Sequence, residues 1–443
     1  MSQPMEACRN AFKIPELKRR IIFTLIMLAL YRLGCHVPSP GVDGTALAQK
    51  MSQGGGLLGF YDMFSGGAFS RATVFALGIM PYITASIILS LLIPVIPALE
   101  QLQKQGQEGQ KKITEYTRYG TIILCLVQGT GIALWLENLG PEIVPNPGPW
   151  FLFLTVLTLT TGTAFIMWLG EQISENGIGN GMSLIIFTSI VSRMPEAVYS
   201  LFRLVFVSKT VSPFVALVLV FLMVIVVAGA ILITTGQRPT PVQYPRAVQH
   251  KRVGGGSRTY LPLRVNQSGV IPIIFSSSIL ALPMSLSQAT RIPWIENSIR
   301  FLFQPGHVPY LLIDSGLIIF FAFFYTAITF NPAEIADNMK KYGGVIVGVR
   351  PGKATAEYLN RVMTRVTLVG AIFLAVIAAV PSVLYRILEI PDWNIVTFFG
   401  GTSLLILVGV ALDTVKQIEQ HLVMRHYDGF SGKGGKVTGR RRF

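Results

Sequence analysis

The sequence predicts an all-α membrane protein built from ten transmembrane helices. Of its 443 residues 51% are hydrophobic and only 13% are charged, against about a quarter charged in soluble domains. Mean hydropathy is +0.54. The chain also divides into apolar runs separated by short basic stretches, and a spanning helix needs about 20 such residues to cross a hydrocarbon core of about 30 Å.

The ten runs lie near residues 21–38, 73–97, 119–136, 150–170, 178–194, 212–235, 268–288, 311–331, 366–385 and 395–412. Before the first stand Arg9, Lys13, Lys18, Arg19 and Arg20. That run ends in Cys35-His36-Val37-Pro38, with no small-residue cleavage pattern, so the helix is expected to be retained. Between the first two runs, Gly54-Gly55-Gly56 precedes an apolar piece over residues 57–69 that is too short to cross a bilayer. It reads as a re-entrant half-helix buried in protein or lining a cavity, or equally as an interfacial segment on the outer surface.

With the N-terminus inside, the inside segments hold 28 of the 37 Lys and Arg, which sets both termini inside by the positive-inside rule. Arg32, within the first run, can snorkel outward. The expected organisation is an N-terminus over 1–20, the ten spans over 21–415, and a basic tail over 416–443. Two inside loops exceed ordinary connections. Residues 236–264 carry Arg238, Arg246, Lys251, Arg252, Arg258 and Arg264 without one acidic residue; residues 332–365 carry Lys340, Lys341, Arg350, Lys353, Arg361 and Arg365 against Glu334, Asp337 and Glu357. Basic loops set topology and touch anionic lipid. Their length argues further for a docking surface for an acidic partner or ribosomal RNA.

Catalytic and metal-binding patterns are missing from the sequence. Cys8, Cys35 and Cys125 have no paired spacing. His36, His250, His307, His421 and His426 form no HExxH pattern, so no metal is expected. Gly254-Gly255-Gly256-Ser257 lacks the ending of a phosphate loop, and Gly177-Ile178-Gly179-Asn180-Gly181 lacks the strand a dinucleotide fingerprint needs; both read as flexible hinges. Asp314 and Asp413 fall toward the ends of runs. A solute or ion transporter with a charged midplane site, or an intramembrane enzyme with a carboxylate or histidine pair at depth, is disfavoured on those grounds.

Several motifs carry a resemblance. FSGGAFSRATVFALGIMPYITASII over residues 64–88, MWLGEQISENGIGNG over 167–181, Val270-Ile271-Pro272, Phe330-Asn331-Pro332, Val349-Arg350-Pro351-Gly352 and FGGTSLLI over 399–406 are similar to signatures of the SecY family of protein-conducting channel subunits, from end to end of the chain. The resemblance implies ten helices in two inverted five-helix halves, over 21–195 and 196–415, forming an hourglass in a bacterial inner membrane with both termini cytoplasmic. It implies that residues 57–70, including Leu57, Leu58, Tyr61, Met63, Phe64, Ser65 and Gly66, are a plug in the outer funnel. It places Ile79, Ile83, Met182, Ile186, Ile274 and Ile406 in a pore ring, where the pairs 79/83 and 182/186 have the i, i+4 spacing of one helix face. Met182 stands where Ile is commoner, and its flexible thioether seals similarly. Spans two and three are implied to face spans seven and eight across a lateral gate tuned by Gln128, Asn180 and Ser278. Each of those side chains otherwise reads as an ordinary interhelical hydrogen bond.

By the same resemblance the function is passive conduction of unfolded secretory polypeptide, with membrane segments released sideways into lipid. The implied partners are SecE-like and SecG-like membrane subunits, a SecA-like motor ATPase or the translating ribosome, signal sequences and membrane lipids; no cofactor is implied. Arg238, Arg246, Lys251, Arg252, Arg258 and Arg350 are the implied docking cations. One departure concerns the start of the first loop. The family commonly has consecutive arginines there, whereas Arg238 is followed by Pro239-Thr240-Pro241, which stiffen the backbone and remove donors.

Overall fold

The computed structural model describes residues 14–53, 62, 64–243, 258–289, 293–303, 307–388, 395, 398–399 and 401–431. Helix α1 (Pro15–Gly34) starts on a proline at its first position, where the missing N–H costs nothing. The chain then turns back, and Pro38 bridges Thr73. Asp43 starts α2 (Gly44–Gln53). Its carboxylate accepts from the Thr45 hydroxyl and from the amides of Thr45 and Ala46, and the Thr45 hydroxyl foremost holds the Asp43 carboxyl below its usual range.

The second span departs from its expected form. Residues 66–79 run as successive turns, helix α3 covers only Met80–Leu92, and α4 (Pro97–Lys104) leaves it at an angle of 99°. The cause is local: Gly78 has φ +58, which ends any helix from the N-terminal side, and Pro94, next after the still helical Ile93, has no N–H to carry the ladder on. Helices α5 (Gln107–Asn138), α6 (Pro149–Asn176) and α7 (Gly181–Phe202) complete the first half. A π-helical turn over Arg203–Val207 leads out of α7.

The second half holds α8 (Pro213–Thr235), α9 (Ile271–Ala289), α10 (Pro293–Phe303), α11 (Val308–Thr329), α12 (Pro332–Lys341), α13 (Lys353–Leu388) and α14 (Thr402–Ser431). A helix stands at each of the ten expected spans. Among the described residues six helical stretches are long and apolar enough to cross a membrane unaided, or seven if the bent α3–α4 pair counts as one span. The short count has visible causes. Helix α1 opens with Glu16, Lys18, Arg19 and Arg20, and α14 carries Asp413, Lys416 and Glu419.

The halves meet along two seams. Helix α9 packs against α3 and α5, and α14 packs against α7. The main hydrophobic core runs across both seams, from Tyr31 and Phe64 through Ile83 and Ile186 to Ile274 and Ile406.

The loop after α8 is a β-hairpin, which the sequence did not suggest. Strands β1 (Gln237–Gln243) and β2 (Arg258–Arg264) pair antiparallel, and β3 (Val345–Ile346) from the second loop adds to the other edge of β1. Pro239 sits opposite Pro262. Neither can donate, so this is a non-hydrogen-bonded pair, and Pro241, two residues on, has the same orientation. The prolines therefore cost the hairpin no ladder bond. Val242, Leu263 and Ile346 pack with Met339 of α12 and Leu359, Val362 and Met363 of α13 in a separate small core. Both basic loops thus form one platform at one end of the bundle, here called the basic end.

Close approach of helices is set by glycines. A Cβ on Gly162 of α6 would lie 2.0 Å from the Val74 carbonyl oxygen, whereas one on Gly316 of α11 would meet nothing within 4 Å. Gly162→Ala is expected to destabilise the fold by about 1–3 kcal/mol through overpacking. Gly316→Ala is expected to be neutral or slightly stabilising, because alanine is the better helix former. Thermal unfolding of the two variants in detergent checks the pair: equal midpoints would contradict the packing described.

Candidate functional site

One face of α7 organises the centre of the molecule. Met182, Ile186, Ser189 and Arg193 follow one another at spacings of four, three and four residues, a single stripe on a helix. The helix starts on Asn180, whose side chain accepts from the Ser183 amide at 3.2 Å. That is ordinary N-capping.

The lower part of the stripe joins the main apolar core. Ile79, Ile83, Ile186, Ile274 and Ile406 are 6% exposed or less and share one core cluster, and Met182 packs against it. All six lie just before or within the first two turns of α3, α7, α9 and α14, two helices from each half. Phe64, Ala68, Phe69 and Leu77 belong to the same cluster, so the turn segment after Asp62 packs into the same core.

The upper part of the stripe holds that segment. Asp62 is 2% exposed; one carboxylate oxygen accepts from the Ser70 amide at 2.8 Å and the other from Arg193 in an ion pair. The Asp62 carbonyl accepts from the Gly67 amide at 3.0 Å and the Ser65 hydroxyl at 3.2 Å. From α1, Arg32 donates to the Gly66 carbonyl at 2.7 Å, and the Tyr31 hydroxyl bonds Ser189 at 2.7 Å. Arg32 thus turns inward onto the segment instead of snorkelling outward, because an unpaired carbonyl there gives it a charge-assisted partner. Gly66 has φ +66, and a Cβ on it would lie 3.1 Å from the Ser189 backbone. Only glycine fits that turn without strain.

Of the expected plug residues, Phe64, Ser65 and Gly66 are buried at this place; Leu57, Leu58, Tyr61 and Met63 lie outside the described residues. The expected gate residues separate. Ser278 on α9 is buried with its hydroxyl 4.0 Å from the Met80 sulfur of α3, across the seam. Gln128 on α5 is 3% exposed, and its carbonyl oxygen has no partner among the described residues. Asn180 instead lines a cavity of about 390 Å³ at the basic end, with Arg264, Asn266, Asp413 and Lys416. Behind α9, the Ser276 hydroxyl donates to Asp314 of α11 at 2.5 Å; this carboxylate ties neighbouring helices and is nine-tenths buried.

The expected glycine hinge at 177–181 is rigid. The amides of Ile178, Gly179 and Gly181 donate to Thr24, Gln417 and Ser174 at 3.0, 2.9 and 2.9 Å, and a Cβ on Gly181 would lie 1.9 Å from the Gly170 oxygen. These glycines serve close packing. The Gly254–Ser257 run lies outside the described residues, as do Arg246, Lys251 and Arg252.

On the platform, Arg238 and Arg350 are exposed, and Arg258 begins β2. Arg350 stands in a turn closed by Gly352 at φ +96, with the Thr355 hydroxyl donating to its carbonyl at 2.8 Å. Between α5 and α6, Arg118 grips Glu171 with two bonds of 2.8 Å. Among the described residues no group of three His, Cys, Asp or Glu could hold a metal ion. The site offers steric and solvation control and no reactive constellation.

Asp62, Arg193, Tyr31 and Ser189 are the residues that motif reading missed. The spacing of Ser189 and Arg193 on the Met182–Ile186 face was the available signal.

Comparison with known proteins follows this geometry. The SecY family model matches residues 73–415. The protein translocase subunit SecY of Streptomyces griseus is 47% identical over 440 residues, spanning 96% of this chain and 99% of that one. Its counterpart from Thermotoga maritima is 44% identical over 452 residues, spanning 98% and 100%. In three dimensions the chain is similar to a solved protein conducting channel, with TM-score 0.66 at 17% identity, over 96% of this chain and 99% of that one. It is also similar to Sec61 in the canine ribosome-channel complex from the endoplasmic reticulum, with TM-score 0.62 at 18% identity over 96% and 99%. With a family model across most of its length and relatives this similar over nearly all of it, the chain belongs to the SecY family.

Proposed function

We propose that this chain is the protein-conducting channel subunit of a Sec translocon in a bacterial inner membrane, with both termini cytoplasmic. The observation that supports the reading is an apolar core shared by helices of both halves. Ile79, Ile83, Ile186, Ile274 and Ile406 are buried in one cluster with Met182 packed against it, and these six side chains are assigned here as the pore ring. Such a ring excludes ions by leaving water too few partners, and it yields around a peptide because it has no hydrogen bonds to break.

Residues 57–70 act as the plug, to which the described residues Phe64, Ser65 and Gly66 contribute buried side chains or backbone. The seam where α9 meets α3 and α5 is the lateral gate, and the Ser278 contact with Met80 is one of the contacts a signal sequence displaces. The gate contribution assigned to Asn180 is the cap of α7 at the wall of the basic-end cavity, which is the entrance funnel. Energy comes from partners. The exposed cations of the platform, Arg238 and Arg350 among them, dock a SecA-like motor ATPase or the translating ribosome, and SecE-like and SecG-like subunits cover the lipid-facing helices.

Two outcomes test this. Replacing Ile83 and Ile186 together by serine is expected to raise resting single-channel conductance at least several-fold, because hydroxyls solvate a water column, while membrane integration stays normal since serine is tolerated in spanning helices. A double variant as ion-tight as the parent would make these residues plain packing.

Arg350→Glu is expected to abolish most motor-driven export of a secretory precursor with unchanged insertion. Its guanidinium is exposed on a fixed turn, where a charge-assisted bidentate contact is lost and replaced by repulsion. Normal ATPase stimulation and transport by this variant would remove Arg350 from the docking surface.

A further inference from the structure

Arg193 has two acidic partners on different bodies. Asp62 belongs to the turn segment that closes the channel; Glu196 belongs to α7 itself, one helical turn further on. The Asp62 side chain is 3% exposed and Arg193 is 19% exposed, whereas Glu196 is 64% exposed with its oxygen 3.8 Å from Arg193 Nε. A buried pair is costly to break when one charge is left alone. Here it need not be, because Arg193 can turn from Asp62 to Glu196 as the segment withdraws.

The other contacts of the segment point the same way. Asp62 gathers the turn through the Ser70 amide on its side chain and the Gly67 amide and Ser65 hydroxyl on its carbonyl. A pull on Asp62 therefore moves residues 62–70 as a unit. Arg32 on α1 holds the far side of this unit through the Gly66 carbonyl. Tyr31 and Ser189 bond each other behind it, and a Cβ on Gly67 would touch the Arg193 guanidinium at 3.2 Å. The cation is seated against the segment, not in passing contact with it.

We propose that the Asp62–Arg193 pair, with Glu196 as the alternative partner, is a charge latch that sets how strongly a translocating segment must bind before the channel opens. This rests on the channel reading above and adds the specificity-determining residues to it. A signal segment opens the channel only through its higher affinity for the open state. Any interaction made in the closed state alone raises the affinity required, so the latch rejects weakly apolar segments. Glu196 acts with the opposite sign: it stabilises the state in which Asp62 has left.

The signs give the test. Full-length protein is co-produced with its partner subunits and reconstituted. Resting conductance is measured in planar bilayers, and export is scored for precursors whose signal segments are graded in hydrophobicity. Asp62→Asn and Arg193→Gln are each expected to raise resting open probability roughly 10-fold and to admit weaker signal segments. Glu196→Gln is expected to lower open probability a few-fold and to demand stronger ones. The charge-swapped double variant, Asp62→Arg with Arg193→Asp, is expected to regain tightness that either single swap loses, which packing loss alone cannot reproduce. Arg193→Lys keeps the charge without the planar fork and is expected to fall between parent and Arg193→Gln, even where larger changes impair folding. Unchanged conductance in Asp62→Asn and Arg193→Gln overturns the latch, as does a shift of the same sign in Glu196→Gln. Precursor export by the parent protein is scored separately, so a failure of the channel reading is distinguished from a failure of the latch.

Discussion

Backbone that is not helical must find its hydrogen bonds inside the protein when lipid surrounds the molecule. Residues 66–79 are where this constraint bites. They run as turns through the centre of the bundle, and the surrounding helices are arranged to satisfy them. Val37 and Ser39 pair with Val74 and Ala72 in a short antiparallel bridge, Arg32 takes the Gly66 carbonyl, and Ser65 and Asp62 supply acceptors from within. The tight contact of α6 at Gly162 follows from the same need. Interior backbone of this kind has no lipid-facing alternative, so the rest of the first half is built as its container.

That container explains which features could be read from sequence. Hydropathy and the distribution of Lys and Arg located ten helices, because the bilayer demands length and apolarity whatever the tertiary contacts. The bounds of the second span were not legible in the same way. Residues 73–79 are as apolar as a helix should be, yet Gly78 at positive φ and Pro81 at the start of α3 make them turns. Motif similarity singled out Ile79, Ile83, Met182 and Ile186, which carry a spacing as well as an identity and which all lie in or against the main core.

Polar partners were the hardest to foresee. Arg32 and Arg193 each stand in an apolar run, and composition says only that a lone cation there needs a reason. Their targets, a carbonyl of Gly66 and the carboxylate of Asp62, are remote in sequence and close only after folding. The hairpin was hidden by its own prolines. Pro239, Pro241 and Pro262 look hostile to a strand, but their placement at pairs that require no donor removes the conflict. The glycines at 177–181 misled in the opposite direction, since close packing and flexibility draw on the same residue.

The hairpin is spliced directly onto α8. Only Gly236 separates α8 from β1, and the Val265 amide leaving β2 returns to the Gly236 carbonyl at 2.9 Å. A Cβ on Gly370 of α13 would lie 2.8 Å from the Val265 oxygen, so the base of the hairpin is also braced from behind. Strand β1 therefore has almost no slack where it meets α8, so a displacement of β1 is passed to α8 and not absorbed in a linker.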